Sequence, residues 1–513
     1  MLTRLHRDER GIALISALLI SIVLVAISVS VVALSMHNSE QSANDRKRLQ
    51  AINTAEAGLS ATESLLQTTA TASLPCTGDS SLHSVLPTTP SSEYTVSISY
   101  YPSYPPTGSP MDCSTVRGST VLPAAAQIVS QGTAVISGQR GAVTRTMETL
   151  IRMRPIHSGF QQAIFSDKDI ILENNLNVTG NVGNDGDIYT NGNVVCNNGS
   201  VIKGSFLVQG YVQMGNSCTV VQDVWAKGSI TVSNSATIGH DATASTVNPD
   251  GSPADIAFFN ANSYVTHNAT AARNCTSCTG HVGGAITANH VSNPPPRIDL
   301  PKVNYVQSCW ADPTSCDADI PISPYTTFPP TSGFNNCSTI GPGNTQDTID
   351  AGWSTNTVAV ITPNCVLSWQ NNTTVNVRAN MVLITYGGLQ MLNQTTFQSA
   401  DGSPHDLYLI VPWEATTGGN MTGGTPDCSG GAHDISIGNK TSFVNLHVFM
   451  YTPCTVTYNN NNDGLGGQVL AGQVDVKNLY NLQFFPMRIP GAGPIVGYHV
   501  DITYEREIVN PTP

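Results

Sequence analysis

Residues 12–36 read IALISALLISIVLVAISVSVVALSM and contain no charged side chain. At about 1.5 Å of rise per residue, a helix of this length crosses a hydrocarbon layer about 30 Å thick. A leader of residues 1–11, charged up to Arg10, precedes this segment and ends in Gly11. A secretory signal peptide has its small cleavage residue after the apolar core, whereas Gly11 stands before it. Cleavage after Gly11 would therefore leave the apolar segment on the mature protein, with Ile12 as its first residue.

The helical pattern continues beyond the apolar segment. No proline occurs between Met1 and Leu74. Apolar and small residues recur at helical spacing in residues 37–67, namely Leu49, Ile52, Ala55, Leu59, Thr62 and Leu66. We expect one continuous helix of about 55 residues, apolar over residues 12–36 and amphipathic over 37–67. The apolar part alone favours an ordinary membrane anchor with its basic flank inside, and the helical pattern that follows Met36 reverses this preference.

This arrangement resembles the class III signal and N-terminal helix of type IV pilins. The segment Ala55–Glu63 is similar to the one shared by PilX-type minor pilins. The resemblance implies cleavage after Gly11 by prepilin peptidase and N-methylation of Ile12. It also implies assembly with other major and minor pilins by an inner-membrane pilus assembly platform.

Ser16 departs from the pattern of the major pilins. The resemblance places a glutamate at the fifth mature position, where its carboxylate pairs with the N-terminal amine of a neighbouring subunit. Ser16 cannot form that charge pair, and a carboxylate inside a membrane is normally kept for function. In the family, this substitution goes with subunits at the filament tip. Neutral drift in a protein that is only membrane-anchored is the alternative.

The composition is that of an exported β protein rich in turns. Charged residues make up 11% of the chain, against about 25% in a typical soluble domain. The formal net charge is −13, and loss of residues 1–11 makes it −14. No basic face is evident, so we do not expect nucleic acid as a partner.

Twelve cysteines lie in the exported part, and they predict disulfides. Cys76 and Cys113 flank one small domain and are expected to pair, whereas the connectivity of the others stays open. The single CxxC motif, Cys275 to Cys278, has histidines nearby but lacks a recognisable zinc pattern. We therefore expect no metal and no cofactor.

Residues 68–155 are predicted to form a small antiparallel meander beside the helix. Alternating strands are expected at residues 92–101, 127–137 and 142–153, and the domain should end near Pro155. Together with the helix, this pattern predicts a pilin-like α+β domain.

Residues 156–247 contain an internal repeat of 18 residues. Four apolar columns keep this interval: Ile170, Ile188, Phe206 and Val224; Leu176, Val194, Val212 and Ile230; Ile171, Tyr189, Leu207 and Trp225; Val178, Cys196, Met214 and Val232. A short fixed period with apolar columns is typical of stacked β coils, here with three sides of about six residues. The repeat predicts a β-solenoid, similar to bactofilins and other short-coil β-helices. A β-sandwich with fortuitous spacing is the alternative.

The rest of the chain is predicted to consist of three parts. Residues 248–345 are rich in proline and cysteine and are expected to be irregular. Short apolar runs return in residues 346–488, which predicts a second solenoid-like region. Residues 449–460 and 467–472 within it are similar to the C-terminal portion of large PilX-type proteins, and residues 489–513 are expected to form a tail. The predicted fold class is therefore mainly β with one long N-terminal helix, a pilin-like α+β domain followed by β-solenoid coils.

Several carboxylates are candidates for calcium binding or acid–base chemistry. The candidates are Asp185, Asp187, Asp223, Asp401, Asp406 and Asp463. Asp223 and Asp241 are one period apart, so a small polar patch with His240 is expected. Turn-forming roles explain these residues without chemistry, and no Gly-x-Ser-x-Gly, P-loop or HExxH motif is present. We therefore predict that the chain is not an enzyme.

The sequence predicts a non-catalytic minor pilin. It would be a single-pass protein of the cytoplasmic membrane with its bulk outside, and would reach the pilus or cell surface after assembly. Its β-solenoid would bind a surface carbohydrate or a host or abiotic surface. Tyr189 and Trp225 could contribute to sugar binding, although their regular columns favour core packing. A membrane-tethered β-helix carbohydrate-active enzyme and a surface adhesin unrelated to pili are the alternatives.

Overall fold

The computed structural model describes most of the chain. The described residues are 5–87, 91–118, 121–134, 141–157, 159–180, 186–260, 262–318, 320, 322–328, 354–362, 365–460, 462–478, 480–493 and 495–508. The fold is mainly β with one long N-terminal helix. The chain divides into two compact units: unit 1 is Met1–Arg154 with Val496–Pro513, and unit 2 is Pro155–Ile495.

The secondary structure elements are as follows. The α-helices are α1 (Leu5–Thr68), α2 (Cys113–Gly118), α3 (Gln307–Ala311) and α4 (Trp413–Thr416). The strands are β1 (His83–Leu86), β2 (Ser92–Tyr101), β3 (Ala125–Ala134), β4 (Val143–His157), β5 (Gln162–Ser166), β6 (Ile170–Leu172), β7 (Leu176–Thr179), β8 (Asp187–Thr190), β9 (Val194–Cys196), β10 (Val201–Ile202), β11 (Phe206–Val208), β12 (Val212–Met214), β13 (Thr219–Val220), β14 (Val224–Ala226), β15 (Ile230–Ser233), β16 (Thr237–Ile238), β17 (Ala242–Ala244), β18 (Ile256–Phe259), β19 (Tyr264–Val265), β20 (Ala269–Ala271), β21 (Cys275–Thr276), β22 (Ile286–Thr287), β23 (Thr326–Phe328), β24 (Thr357–Ile361), β25 (Leu367–Trp369), β26 (Thr374–Val377), β27 (Met381–Thr385), β28 (Leu389–Met391), β29 (Thr396–Ser399), β30 (His405–Ile410), β31 (Ile435–Ile437), β32 (Ser442–Val444), β33 (Leu446–Tyr458), β34 (Asn462–Val476), β35 (Tyr480–Phe484) and β36 (Ile495–Ile508). Short 3₁₀ turns lie at Thr71–Ser73, Ser80–Leu82, Pro313–Ser315 and Ser429–Gly431.

Helix α1 runs without a break from Leu5 to Thr68, so it also includes part of the leader. Its second half packs on the sheet of unit 1 through a buried stripe, namely Ala51, Ala55, Leu59, Thr62 and Leu66. Leu49 is 59% exposed and does not belong to this stripe. Two residues span about 200° of a helix, so Leu49 points away from the face that carries Ala51.

The sheet of unit 1 has the order β1-β2-β3-β4-β36. Strands β1 to β4 pair antiparallel, with Ile98 opposite Ile128 and Val129 opposite Glu148. Strand β2 buries alternate residues, as its sequence predicts. The expected disulfide between Cys76 and Cys113 is present.

Residues 495–508 are not a tail, which corrects the sequence-based prediction. They form β36, the edge strand beside β4 in unit 1. Thr149 Oγ1 donates a hydrogen bond to the Tyr504 carbonyl at 3.0 Å, and Arg506 Nη2 lies 2.8 Å from the buried Glu148 carboxylate. Apolar residues alternate along this strand from Val496 to Tyr504, and that pattern was the available signal.

Unit 2 is dominated by parallel strands stacked in a β-helix-like arrangement. Between Ile188 and Ala242, residues of one column follow each other at 18-residue intervals, with Ile188 opposite Phe206, then Val224, then Ala242. The inward-facing Val, Ile, Leu and Ala side chains are fully buried. Each coil therefore buries its apolar side chains in the core of the stack, where they contact the side chains of the neighbouring coils.

The first member of each predicted column lies elsewhere in the structure. Ile170 and Ile171 stand opposite Val194 and Val195, and Val178 stands opposite Ile202. The first coil spans 24 residues, as between Asp169 and Asn193, rather than 18. Because one side has about six residues, six extra residues leave the apolar pattern in phase, and periodicity alone does not reveal them.

The two regions predicted from the sequence belong to one stack. Val469, Val474 and Leu482, from the last coils in the chain, pair with Ile164, Ile170 and Val178, from the first. One column of paired residues consequently runs through the whole stack: Phe328, Ala359, Leu383, Leu409, Met450, Val469, Ile164, Ile188, Phe206, Val224, Ala242, Ala269 and Ile286. Its members between Ala359 and Ala269 are buried. Unit 2 begins at β5, in the middle of the stack, and its first coils lead to one end at β22. The chain then continues from β23 at the opposite end, and the later coils lead back to the middle at β34.

The segment expected to be irregular begins later than predicted. Strands β18 to β22 continue the stack to Thr287, with Ile256 opposite Ile230 and Ala269 opposite Ala242. Coils here have longer loops; Asp241 and Asn268 are 27 residues apart. The lost 18-residue interval explains why the sequence pattern broke at residue 248.

After Thr287 the chain crosses the outer face of the stack. Tyr189, whose side chain is fully buried, donates a hydrogen bond to the Pro296 carbonyl at 3.0 Å. Trp225 Nε1 donates to the Asn293 carbonyl at 3.0 Å. The crossing segment thus covers the column of Tyr189 and Trp225, and Tyr189 offers no exposed surface to a sugar.

Four further disulfides are described in unit 2. They are Cys196–Cys218, Cys275–Cys278, Cys309–Cys316 and Cys428–Cys454. Cys365 is also disulfide-bonded, and Cys337 lies outside the described residues. The CxxC motif therefore forms a disulfide, and its thiolates are not available to a metal.

Candidate functional site

The first candidate site is the apolar part of α1. Its large hydrophobic side chains from Leu14 to Met36 are 51–73% exposed. The helix has an 18-residue window of mean hydropathy 2.9 and is long and apolar enough to span a membrane. Each Å² of apolar surface left in water costs about 25 cal/mol of free energy relative to burial. This part of α1 therefore requires an apolar environment, as in a lipid bilayer or among similar helices.

Three serines in this part of α1 have hydrogen-bond partners within the helix. Ser21, Ser28 and Ser30 donate to the carbonyl four residues earlier at 2.7–2.8 Å. A hydroxyl satisfied within its own helix is compatible with hydrocarbon.

The predicted processing and assembly residues lie at the start of the same helix. Ser16 is exposed on α1. Gly11 and Ile12 lie within the helix, where only their backbone belongs to the described part of the chain. The structure thus places the three residues on one helical segment, and their roles stay predictions.

The second candidate site is a corner of the stack in unit 2, which we call the aspartate corner. It is the column Asp187, Ser205, Asp223, Asp241 and Asn268. Each side chain accepts a hydrogen bond from the backbone N–H of the next member; Asp223 Oδ1 accepts from Asp241 at 2.9 Å. The carboxylates therefore stabilise the turn between two sides of a coil.

His240 joins the corner, as the 18-residue spacing predicts. Its Nδ1 lies 2.6 Å from Asp223 Oδ1 and 4.0 Å from Asp241 Oδ2. The hydrogen bond with Asp223 raises the pKa of the His240 imidazole above its ordinary value. The patch of Asp223, His240 and Asp241 is thus present.

His267 also belongs to the corner, although the 18-residue period does not reveal it. Its ring centroid lies 4.3 Å from that of His240, one coil away. The 27-residue interval between Asp241 and Asn268 concealed the relation. The similar dipeptides His240-Asp241 and His267-Asn268 are the sequence signal that relates the two coils.

The other candidate carboxylates have local partners. Asp401 Oδ1 accepts a hydrogen bond from the Ser403 backbone N–H at 2.9 Å, which lowers the pKa of the Asp401 carboxyl. Asp406 lies 3.1 Å from His447 Nδ1. Asp185 and the side chain of Asp463 lie outside the described residues.

Comparison with known proteins adds one structural likeness. No family model matches the chain, and no curated protein matches it by sequence. Among solved structures, it is similar to the competence-associated pilin ComZ from Thermus thermophilus, with 13% identity and a TM-score of 0.26 over 90% of this chain and 97% of that one. At this TM-score we conclude nothing from the likeness about the fold or role of this chain.

Proposed function

We propose that this chain is a non-catalytic minor subunit of a type IV pilus-like filament. The observation that carries the proposal is the exposed apolar part of α1, which continues without a break into a half packed on an antiparallel sheet. Residues 12–36 anchor the protein in the cytoplasmic membrane before assembly. In the filament the same residues pack among the N-terminal helices of other major and minor pilins.

The proposal assigns roles to the first residues of the mature chain. Prepilin peptidase cleaves after Gly11, and Ile12 becomes the methylated N-terminus. Ser16 carries no charge to neutralise the amine of a subunit above it, which suits a position at the tip. The assembly platform of the inner membrane then incorporates the subunit.

Unit 2 is the part that we propose to interact with surfaces. Its stacked parallel coils form a β-solenoid that presents polar corners, such as the aspartate corner, to solvent. A surface carbohydrate or a host or abiotic surface is the proposed partner. We propose no enzymatic activity, because oxygens of Asp223 and Asp241 already accept backbone hydrogen bonds.

The mass of the N-terminal peptide tests this function. We expect the protein purified from its native membrane or filaments to begin at Ile12 with an added methyl group. An intact Met1, or a cut beyond residue 36, would contradict the proposal and leave a tethered or secreted β protein. A Gly11→Leu variant is the matched control, and it should remain uncleaved and absent from filaments.

A further inference from the structure

The aspartate corner brings together three side chains that can bind a metal. One ring nitrogen of His240, one of His267 and a carboxylate oxygen of Asp241 lie within 4.8 Å of one another. The histidines stand on adjacent coils, since the His267 backbone N–H donates to the His240 carbonyl at 3.2 Å. Among the described residues, this is the one group of three or more His, Cys, Asp or Glu side chains with such spacing.

The hydrogen bonds around the corner leave the right atoms for coordination. His240 Nδ1 is engaged by Asp223 Oδ1 at 2.6 Å, which leaves Nε2 as the ring nitrogen that can bind a metal. Metal-binding histidines almost always have a carboxylate or carbonyl on the other ring nitrogen in this way. Asp241 Oδ1 accepts from the Asn268 backbone and side chain at 2.9 and 3.1 Å, which leaves Oδ2 as the oxygen that can bind a metal.

The surroundings permit the side chains to close around an ion. The position after His267 in this column is Gly284, whose backbone N–H donates to the His267 carbonyl, so no side chain stands above that ring. Zinc binds imidazole nitrogen and carboxylate oxygen at about 2.0–2.2 Å, so the ligands must approach each other slightly. The side chains of His240 and Asp241 are 44% and 38% exposed, which gives them the freedom to do so.

We propose that His240, Asp241 and His267 form a zinc site that joins two adjacent coils, with the remaining coordination position open to solvent. Asp223 is a positioning residue, because it acts through His240 and does not touch the ion. This proposal revises the expectation of no metal, and it does not depend on the pilus function. The open position could bind a carboxylate or imidazole of another molecule.

Calorimetric titration of Zn²⁺ into the full chain in detergent, after removal of metals by a chelator, tests the site. We expect about one equivalent to bind. His240→Gln and His267→Gln should each lower the affinity at least about tenfold, as expected for loss of a ligand. His447→Gln is the matched control, because it removes a histidine that pairs with an aspartate, Asp406, on the same stack.

The positioning role of Asp223 has its own test. Asp223→Asn keeps an acceptor for the Asp241 backbone N–H but loses the charge that orients His240, so zinc affinity should fall about 10–100-fold. Circular dichroism without metal shows whether each variant keeps its fold. Binding that is equal in wild type, His240→Gln and His267→Gln would overturn the proposal, as would the absence of binding to a folded wild type.

Discussion

The side chain of Asp223 shows how one residue can serve two purposes. Its Oδ1 accepts a hydrogen bond from the Asp241 backbone N–H at 2.9 Å and also contacts His240. A backbone N–H is an obligatory donor, and a turn in a tightly stacked coil leaves it few other partners. The structural role of this hydrogen bond is therefore enough to explain why an aspartate stands at position 223.

Replacement of Asp223 by alanine should loosen the corner locally. Loss of the acceptor leaves the Asp241 N–H without its partner, at a cost of about 1–3 kcal/mol where the group stays away from water. We expect faster hydrogen exchange at the Asp241 amide in Asp223→Ala and near wild-type exchange in Asp223→Asn. Equal protection of this amide in all three proteins would show that the hydrogen bond contributes nothing.

The titration of His240 gives a prediction about pH. The hydrogen bond with Asp223 raises the pKa of His240 in the folded chain, so the pair stabilises the protonated form. Its contribution to stability is fully present below the unfolded pKa of about 6.5 and is lost as the pH rises through the raised, folded pKa. An NMR titration of the ring should give a higher pKa in wild type than in Asp223→Asn. The same pKa in both proteins would contradict this assignment.

At the scale of the element, the packing of α1 depends on two glycines. A Cβ on Gly132 of β3 would lie within 3.0 Å of the Ala55 backbone, and one on Gly58 of α1 would meet the Tyr94 ring at 3.0 Å. The missing side chains let helix and strand approach closely. The buried positions Ala55, Leu59 and Leu66 could be predicted from the sequence, whereas the need for Gly132 could not, because it depends on a contact between distant segments.

Gly132→Ala should weaken the contact between α1 and the sheet. Overpacking of a close contact costs about 1–3 kcal/mol. We expect residues 37–68 to lose protection from protease at a lower urea concentration than in wild type. Gln131→Ala, at an exposed position of the same strand, is the control and should leave this protection unchanged.

The coils show where prediction from sequence succeeds and where it fails. The 18-residue columns from Ile188 to Val224 are present, because strict stacking forces equal intervals. The alignment of Ile170 with Ile188 was wrong, since an insertion of one side length keeps the apolar pattern. His267 was missed for a related reason, because a loop of unequal length hides the column from a search at fixed period.

At the scale of the whole molecule, the order of the coils along the stack differs from their order in the sequence. Val469 from the second region pairs with Ile164 from the first. No local pattern encodes this pairing, because both segments read as ordinary buried strands. The sequence pattern therefore predicts two regions where the structure has one stack.

This pairing predicts how fragments of unit 2 behave. A fragment of residues 155–290 would expose the edge of β5, β6 and β7 that β34 and β35 cover in the intact chain. Open strand edges promote association. We expect this fragment to aggregate or oligomerise in light-scattering measurements, and residues 155–495 to remain monomeric. A stable monomer of residues 155–290 would contradict the prediction.

The chain passes between the two units twice, once after Arg154 and once before Val496. If unit 2 holds a surface while α1 is anchored, a tensile load between α1 and unit 2 would be divided between two connections. The one after Arg154 is covalent throughout, whereas the one before Val496 reaches the rest of unit 1 through the pairing of β36 with β4. Each connection would then carry only part of the load, and after a cut at Arg154 unit 2 would stay attached only as long as β36 stayed paired with β4.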